Sequence, residues 1–216
     1  MKHRFLTFGL LLSMSLATVA FTSCSKGEDD NSETISKTTD QGVVINGVKW
    51  ATRNVATHGV FASKPESTGM FYQWNRKSAW AATGSLTDWN TDVPVGEKWE
   101  KAKDPSPAGW RVPTLDEIKS LLDTAKVSSQ WITENGMDGR KFTDKETGNS
   151  LFLPAAGLRS YDTGQLNGVG FSGRYWCSTP SDGISAYFLD FSSENVDWTG
   201  FYYRINGFSI RSVAEE

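Results

Sequence analysis

The stretch Gly109-Trp110-Arg111-Val112-Pro113-Thr114-Leu115-Asp116-Glu117 contains the clearest local folding signal in the chain. Thr114 can cap the free N–H groups at the start of a helix, and Glu117, three residues later, completes a capping box. Apolar residues then recur at helical spacing on one face, at Leu115, Ile118, Leu121, Leu122 and Ala125. The pattern predicts one amphipathic helix over about residues 113–126.

The segment before this helix predicts a hairpin followed by loops. Residues 43–50 read Val-Val-Ile-Asn-Gly-Val-Lys-Trp, and the Asn46-Gly47 pair supplies the positive φ angles of a type I′ turn. Residues 69–74 are a further strand candidate. Residues 76–108 predict a long loop region, with a second, weaker helix over about residues 96–102.

The segment after the helix is dominated by strand patterns and tight turns. Candidate strands occupy residues 151–154, 173–178, 186–191 and 208–213. An N-terminal hairpin, one clear helix and a C-terminal antiparallel meander together predict an α+β fold.

The start of the chain predicts export and lipidation. A basic start, Met1-Lys2-His3-Arg4, is followed by an apolar run from Phe5 to about Ala20 and by small residues up to Cys24. This order looks like a bacterial lipoprotein signal, in which residues 1–23 are removed and Cys24 carries the lipid. The alternative is an ordinary signal peptide that ends near a cysteine.

The segment after Cys24 predicts a tether. Residues 25–41 are rich in Ser, Thr, Asp and Glu and hold a single aliphatic residue, Ile35. Such a segment cannot bury enough apolar surface to become ordered. The expected organisation is a signal peptide (1–23), a disordered acidic tether (24–41) and one folded domain (42–216).

The composition argues against several kinds of partner and site. A net charge of −3 over 216 residues gives no electrostatic reason to expect a nucleic-acid partner. Once Cys24 is acylated, Cys177 is the remaining thiol and no intrachain disulfide can form. His58 and Cys177 are too few ligands for a zinc site. After the signal, no apolar run reaches the ~20 residues that span a bilayer.

Several motifs occur in order along the chain: residues 109–114 with Glu117, residues 153–159 (Leu-Pro-Ala-Ala-Gly-Leu-Arg), residues 175–179 (Tyr-Trp-Cys-Ser-Thr) and residues 207–211 (Gly-Phe-Ser-Ile-Arg). Together they resemble the Fibrobacter succinogenes major paralogous domain family, which is common in Bacteroidetes surface lipoproteins. The resemblance covers about residues 42–213 and implies a C-type-lectin-like fold. Cys177 stands where the family usually has Ser. The resemblance implies no common activity.

Neither a metal nor a cofactor is expected. Asp88-Trp89-Asn90-Thr91-Asp92 imitates the start of an EF-hand loop, but Val93 and Trp99 stand where that loop needs Gly and Glu. An irregular calcium site and the ordinary turn chemistry of Asn and Asp both stay open at this segment.

Catalysis is not expected either. Formylglycine-generating enzymes, to which the implied fold is related, act through cysteine pairs, whereas the mature chain has one thiol. Cys177 beside Trp176 is interpreted as a small buried residue. The carboxylates show no spacing that singles out a glycosidase pair. An enzyme of the formylglycine-generating kind is the weakest alternative.

The aromatic-rich C-terminal segment is the candidate binding surface. Large rings interleaved with Gly, Ser, Thr and Asn are typical of binding loops. Trp176, Phe188 and Phe208 are assigned to the core. The predicted ligand-binding residues are Trp198, Tyr202, Tyr203, Arg204 and Asn206.

The sequence therefore predicts a lipid-anchored binding or adhesion protein at the outer membrane, exposed on the cell surface. Its expected partners are the membrane, through the N-terminal lipid, and a glycan or another surface ligand. The alternative is an accessory structural subunit of a surface protein assembly, in which the same C-terminal face docks a protein.

Overall fold

A computed structural model describes residues 39–215 of the chain. The predicted signal peptide, Cys24 and the part of the predicted tether before residue 39 lie outside the described residues. Within the described part of the predicted tether, Asp40 is buried against the domain. Its carboxylate accepts hydrogen bonds from the backbone N–H groups of Gly42 and Thr52 and pairs with Arg53.

Short strands make up most of the regular structure. Strand residues account for 38% of the structure and helical residues for 6%. The helix is α1 (Leu115–Leu121), and Lys101–Lys103 forms a single 3₁₀ turn. The strands are β1 (Val43–Ile45), β2 (Val48–Trp50), β3 (Phe71–Tyr72), β4 (Ala79–Trp80), β5 (Trp110–Arg111), β6 (Val127–Glu134), β7 (Met137–Asp144), β8 (Ser150–Pro154), β9 (Leu158–Arg159), β10 (Leu166–Asn167), β11 (Ser172–Pro180), β12 (Ser185–Ser192), β13 (Val196–Asp197), β14 (Phe201–Tyr203) and β15 (Val213–Ala214).

The predicted α+β class, with its C-type-lectin-like architecture, is wrong: the described chain is mostly β, with several small antiparallel sheets and no closed barrel. The capping box of Thr114 and Glu117 is present as predicted. The helix nevertheless ends at Leu121 instead of near residue 126. The Asp123 carboxylate accepts the backbone N–H of Ala125 and closes a turn there.

The residues after that turn form a hairpin that the sequence interpretation missed. β6 and β7 pair from Val127 opposite Asp144 to Glu134 opposite Met137. Their connection, Asn135-Gly136, has positive φ angles of 50° and 83°. This is the same turn chemistry as at Asn46-Gly47, where the predicted first hairpin is confirmed.

Three larger sheets carry most of the pairing. One has the order β1-β2-β15-β5, a second has the order β6-β7-β8, and the third is built on β11 and β12. In the third sheet β13 and β14 both pair with β12, so the C-terminal strands are antiparallel but do not continue as a simple meander.

β11 and β12 separate two hydrophobic clusters. Alternate residues of the two strands point to opposite faces, and both faces are covered. Tyr175 and Leu189 belong to the first core cluster, together with residues of α1 and of the β6–β7 hairpin. The second core cluster contains Trp176, Phe188 and Phe208, so their assignment to the core is confirmed.

Two weaker predictions are also corrected. Residues 96–102 form no α-helix, and Lys101–Lys103 alone makes a 3₁₀ turn. Residues 208–213 do not form one strand. Phe208 and Ser209 instead make single bridges to Tyr72 and Tyr175, and regular pairing begins at Val213.

Candidate functional site

β14 places three aromatic residues, Phe201, Tyr202 and Tyr203, on the surface. It pairs with β12 in the register Ala186 opposite Tyr202, and with no other strand of the described residues. Tyr202 and Tyr203 keep 40% and 46% of their surface exposed. Their predicted exposure is therefore confirmed, whereas a ligand role stays a prediction.

Tyr202 lies where the second core cluster reaches the surface. Its ring meets Phe188 edge-on at 6.2 Å and Phe208 at 6.2 Å. The Arg174 guanidinium lies 5.6 Å from its centroid, and Arg174 pairs with Asp190 at 3.2 Å. Because one edge of the ring is packed, the exposed part is held in a fixed orientation.

Tyr203 lies between Tyr202 and aromatic residues of two neighbouring loops. Its ring lies 6.2 Å from Tyr202 and 5.3 Å from Tyr161. The indole N–H of Trp89 donates to the backbone carbonyl of Tyr161 at 3.0 Å, and Trp89 lies 4.7 Å from Trp80. We call these five residues the aromatic strip: Trp80, Trp89, Tyr161, Tyr202 and Tyr203.

Two glycines allow Trp89 to reach this position. A Cβ at Gly164 would lie 2.7 Å from the Trp89 ring, and a Cβ at Gly207 would lie 3.0 Å from it. Gly164 also has a φ of +66°, in the left-handed region that favours glycine. Any side chain at either position would push the indole away.

The strip borders an open pocket of about 270 Å³ lined by Ser185, Phe201, Tyr202 and Tyr203. Its chemistry is that of aromatic faces with phenol hydroxyls at their edges. Such a surface offers apolar contact and hydrogen bonds side by side.

The structure corrects two of the predicted ligand-binding residues. Arg204 is 2% exposed and Asn206 is fully buried. Arg204 donates to the backbone carbonyls of Ser185 at 3.1 Å and Gly96 at 2.9 Å, and its guanidinium lies 4.2 Å from the Trp74 ring. All these contacts are internal, so Arg204 fixes loops and is not available to a ligand.

Asn206 has a similar supporting position. Its side-chain amide donates to the backbone carbonyl of Tyr203 at 2.8 Å, and its backbone N–H donates to the same oxygen at 2.9 Å. The prediction that Asn206 lies on the surface is wrong, because the turn after β14 folds inward. The residue instead fixes the end of the strand that carries Tyr203.

Trp198 is half-buried and lies apart from the strip. It packs against the first core cluster, and Lys119 Nζ of α1 lies 4.6 Å from its ring. No ring contact joins it to Tyr202 or Tyr203 among residues 39–215. The structure therefore brings together two of the five predicted residues.

The sequence interpretation missed three members of the strip, Trp80, Trp89 and Tyr161, and also the contact of Arg174 with Tyr202. The sequence does carry one signal for Tyr161, which is a lone aromatic residue in the polar run Ser-Tyr-Asp-Thr-Gly at 160–164. Arg174 has no such signal, because only the pairing of β11 with β12 brings it beside Asp190.

Two arginines from the motifs at residues 109–114 and 153–159, Arg111 and Arg159, make internal contacts. Arg159 is fully buried and donates to the carbonyls of Ala81 at 2.7 Å, Thr83 at 2.9 Å and Gly164 at 2.9 Å. It thereby ties together two loops that carry rings of the strip. Arg111 donates from both terminal nitrogens to the Glu117 carboxylate, at 2.8 and 2.6 Å.

The other candidate chemistries find little support in the geometry. Cys177 is buried as interpreted, and burial raises the pKa of its thiol to about 11. Asn90 Oδ1 accepts the backbone N–H of Asp92 at 2.8 Å, which is ordinary turn chemistry. Within the described part of the chain, no group of three or more His, Cys, Asp or Glu side chains is placed to hold a metal ion.

No helix in residues 39–215 is long and apolar enough to cross a membrane. No protein-family model, no curated protein and no solved structure matches the chain.

Proposed function

We propose that the domain is a binding module that holds a carbohydrate on the aromatic strip. The observation that carries the proposal is the exposed row Tyr161–Tyr203–Tyr202, whose rings come from β14 and one loop and are fixed by internal contacts. Sugar rings present C–H groups on their faces and hydroxyls at their edges. Tyrosine rings with free hydroxyls match both.

The strip also fits the energetic needs of binding. Rings that are already held in place lose little conformational freedom when a ligand arrives. Tyr202 is held by Phe188 and Arg174, and Tyr203 by Tyr161 and Asn206. The surface is therefore preorganised in the absence of a ligand.

A glycan-array screen of the full-length protein in a nonionic detergent tests the proposal. We expect binding to a subset of glycans, unchanged by a calcium chelator, because the proposed contacts use no metal. Tyr202→Ala and Tyr203→Ala should each weaken binding about fivefold or more, since each removes an apolar contact surface worth ~1–3 kcal/mol.

Phe171→Ala is the matched control. Phe171 is 79% exposed and contacts no ring of the strip within the described residues, so its loss should leave binding unchanged. Equal losses for Phe171→Ala and Tyr202→Ala would contradict the proposal, as would an array without any bound glycan.

A second candidate function is docking of a protein within a surface assembly. Two exposed apolar residues favour it: Phe201 precedes Tyr202 in β14, and Ile184 precedes Ser185, which pairs with Tyr203. Under this alternative, Phe201→Ser would release the protein from a complex isolated from cells. Under the carbohydrate proposal the same variant would leave the cellular complexes unaltered.

We also propose that the chain is a lipid-anchored outer-membrane protein displayed on the cell surface, on the strength of the residues leading to Cys24. Cys24→Ala should move the protein from the membrane fraction to the soluble fraction, because a lipid chain would no longer anchor it. An unchanged distribution on fractionation would overturn lipidation.

A further inference from the structure

A second pocket, separate from the aromatic strip, lies between two loop segments of the 76–108 region. It has a volume of about 320 Å³ and is lined by Asn75, Arg76, Lys77, Ser78, Val93, Pro94, Val95 and Lys103. This volume is at the lower end of the range for small-molecule sites.

The walls of this pocket are fixed from within. Asn75 is almost fully buried, donates to the backbone carbonyl of Val95 at 2.7 Å and accepts from the backbone N–H of Glu100 at 2.8 Å. A Cβ at Gly96 would lie 2.6 Å from the Asn75 amide nitrogen. One buried side chain therefore holds both segments, and the pocket exists before any ligand arrives.

The charged groups that line the pocket are all cations. The Arg76 guanidinium is held by neutral acceptors, the Gln73 side-chain oxygen at 3.2 Å and the Asp92 backbone carbonyl at 2.9 Å. Lys77 is exposed and forms no ion pair among residues 39–215. Lys103 Nζ lies 2.9 Å from Glu100 Oε1.

The neighbouring carboxylates only partly offset these charges. Glu100 is shared between Lys103 and the Asn75 amide. The Asp92 side chain is close enough to favour the charged form of Arg76, although burial lowers the pKa of that guanidinium. An arginine stays protonated at neutral pH in such surroundings. Arg76 thus keeps its positive charge, and neither Arg76 nor Lys77 forms an ion pair within the described residues.

We propose that this pocket binds an oxyanion, a sulfate, phosphate or carboxylate group, carried by a ligand whose apolar part rests on Val93 and Val95. The arginine fork and the two amines supply donors for the anionic oxygens. Val95 is 72% exposed at the rim, and Val93 is also exposed, so an apolar portion has a contact surface beside the charged one. The site does not depend on the aromatic strip.

The test is an NMR titration of the full-length ¹⁵N-labelled protein in nonionic detergent with sodium sulfate, sodium phosphate and sodium acetate. Each titration is compared with sodium chloride at matched ionic strength. We expect saturable shifts at Asn75, Arg76 and Lys77 with at least one oxyanion and not with chloride. The relative affinities of the three salts identify the anionic group that the pocket prefers.

Variants separate the pocket from general attraction of anions. Lys77→Glu should weaken oxyanion binding about tenfold or more, because it reverses a charge at the rim. Lys126→Glu makes the same change at an exposed site elsewhere and should leave the affinity unchanged, as should Tyr202→Ala. Equal effects of Lys77→Glu and Lys126→Glu, or shifts identical to those with chloride, would overturn the proposal.

Discussion

At the scale of single residues, buried arginines stabilise this domain through internal hydrogen bonds. Arg159, Arg204 and Arg211 have almost no exposed surface. Arg211 donates to the Asn54 side-chain oxygen at 2.9 Å and the Ala51 carbonyl at 3.3 Å. Burial lowers the pKa of Arg211 to about 10, so it remains charged at neutral pH. The hydrogen bonds of these arginines hold loops in place where there is no regular strand pairing.

The sequence did not indicate that Arg204 is buried. An arginine next to two tyrosines in a polar, aromatic segment is typical of a ligand contact. Its true neighbours, Trp74, Gly96 and Ser185, come from distant parts of the chain. Arg111 differs in this respect, because its partner Glu117 lies six residues away on the adjoining helix.

Asp40 should make the stability of the domain depend on pH. Burial alone would raise the pKa of its carboxyl, but hydrogen bonds from Thr52, Gly42 and Arg53 outweigh burial, and the net pKa is lowered. The stabilisation is therefore complete above the unfolded pKa, near 4, and is lost as the pH falls through the lower folded value.

At pH 7 we expect Asp40→Asn to lower the free energy of unfolding by about 1–3 kcal/mol, because the buried donors lose a charged acceptor. The difference from the wild-type protein should shrink as the pH falls below the unfolded pKa, near 4, as urea unfolding measured across pH would record. Asp88→Asn, at an exposed position, is the control and should unfold like the wild type. A pH-independent effect of Asp40→Asn would contradict this account.

At the scale of elements, local sequence predicted one of the two Asn-Gly hairpins and missed the other. Strands β1 and β2 carry β-formers on both sides of Asn46-Gly47, and that hairpin was predicted. In β6 the buried Val127 is followed by the exposed polar run Ser128-Ser129-Gln130, so the strand character of this run rests on pairing with β7. The helix end was misplaced for a related reason, because Ala125 fits the apolar spacing but lies in the turn closed by Asp123.

Gly173 is required for the pairing of β11 and β12. A Cβ at this position would lie 2.1 Å from the Phe191 ring, which crosses the glycine and stacks on Tyr175 at 5.8 Å. Phe191 is buried and cannot move aside without disturbing the first core cluster. We therefore expect Gly173→Ala to lower the free energy of unfolding by about 2–3 kcal/mol.

Thermal or urea unfolding measures this effect, and Gly183→Ala is its control. No atom lies within 4 Å of a Cβ at Gly183, and its backbone is not in the left-handed region. That variant should change stability by less than about 1 kcal/mol. Equal stability of the Gly173→Ala and wild-type proteins would show that the ring can shift at little cost.

At the scale of the whole molecule, long-range contacts decided both the fold class and the surface. The aromatic strip draws on β4, β14 and two loops, and its outline depends on Arg159 and on Gly164 and Gly207. Local pattern predicted that Tyr202 and Tyr203 are exposed, but not that Tyr161 and Trp89 lie beside them. The predicted helix is present but short, with 7 residues, and the prediction of an α+β class relied too heavily on it.

The most direct test of the carbohydrate proposal is chemical-shift mapping with the glycan that binds best on the array. We predict that the largest changes fall on the indole N–H of Trp89 and the amides of Tyr161, Tyr202 and Tyr203, with the indole N–H of Trp198 unchanged. Changes centred on Trp198 and α1, or no changes at the strip at a saturating glycan concentration, would contradict the proposal that this domain binds carbohydrate through the aromatic strip.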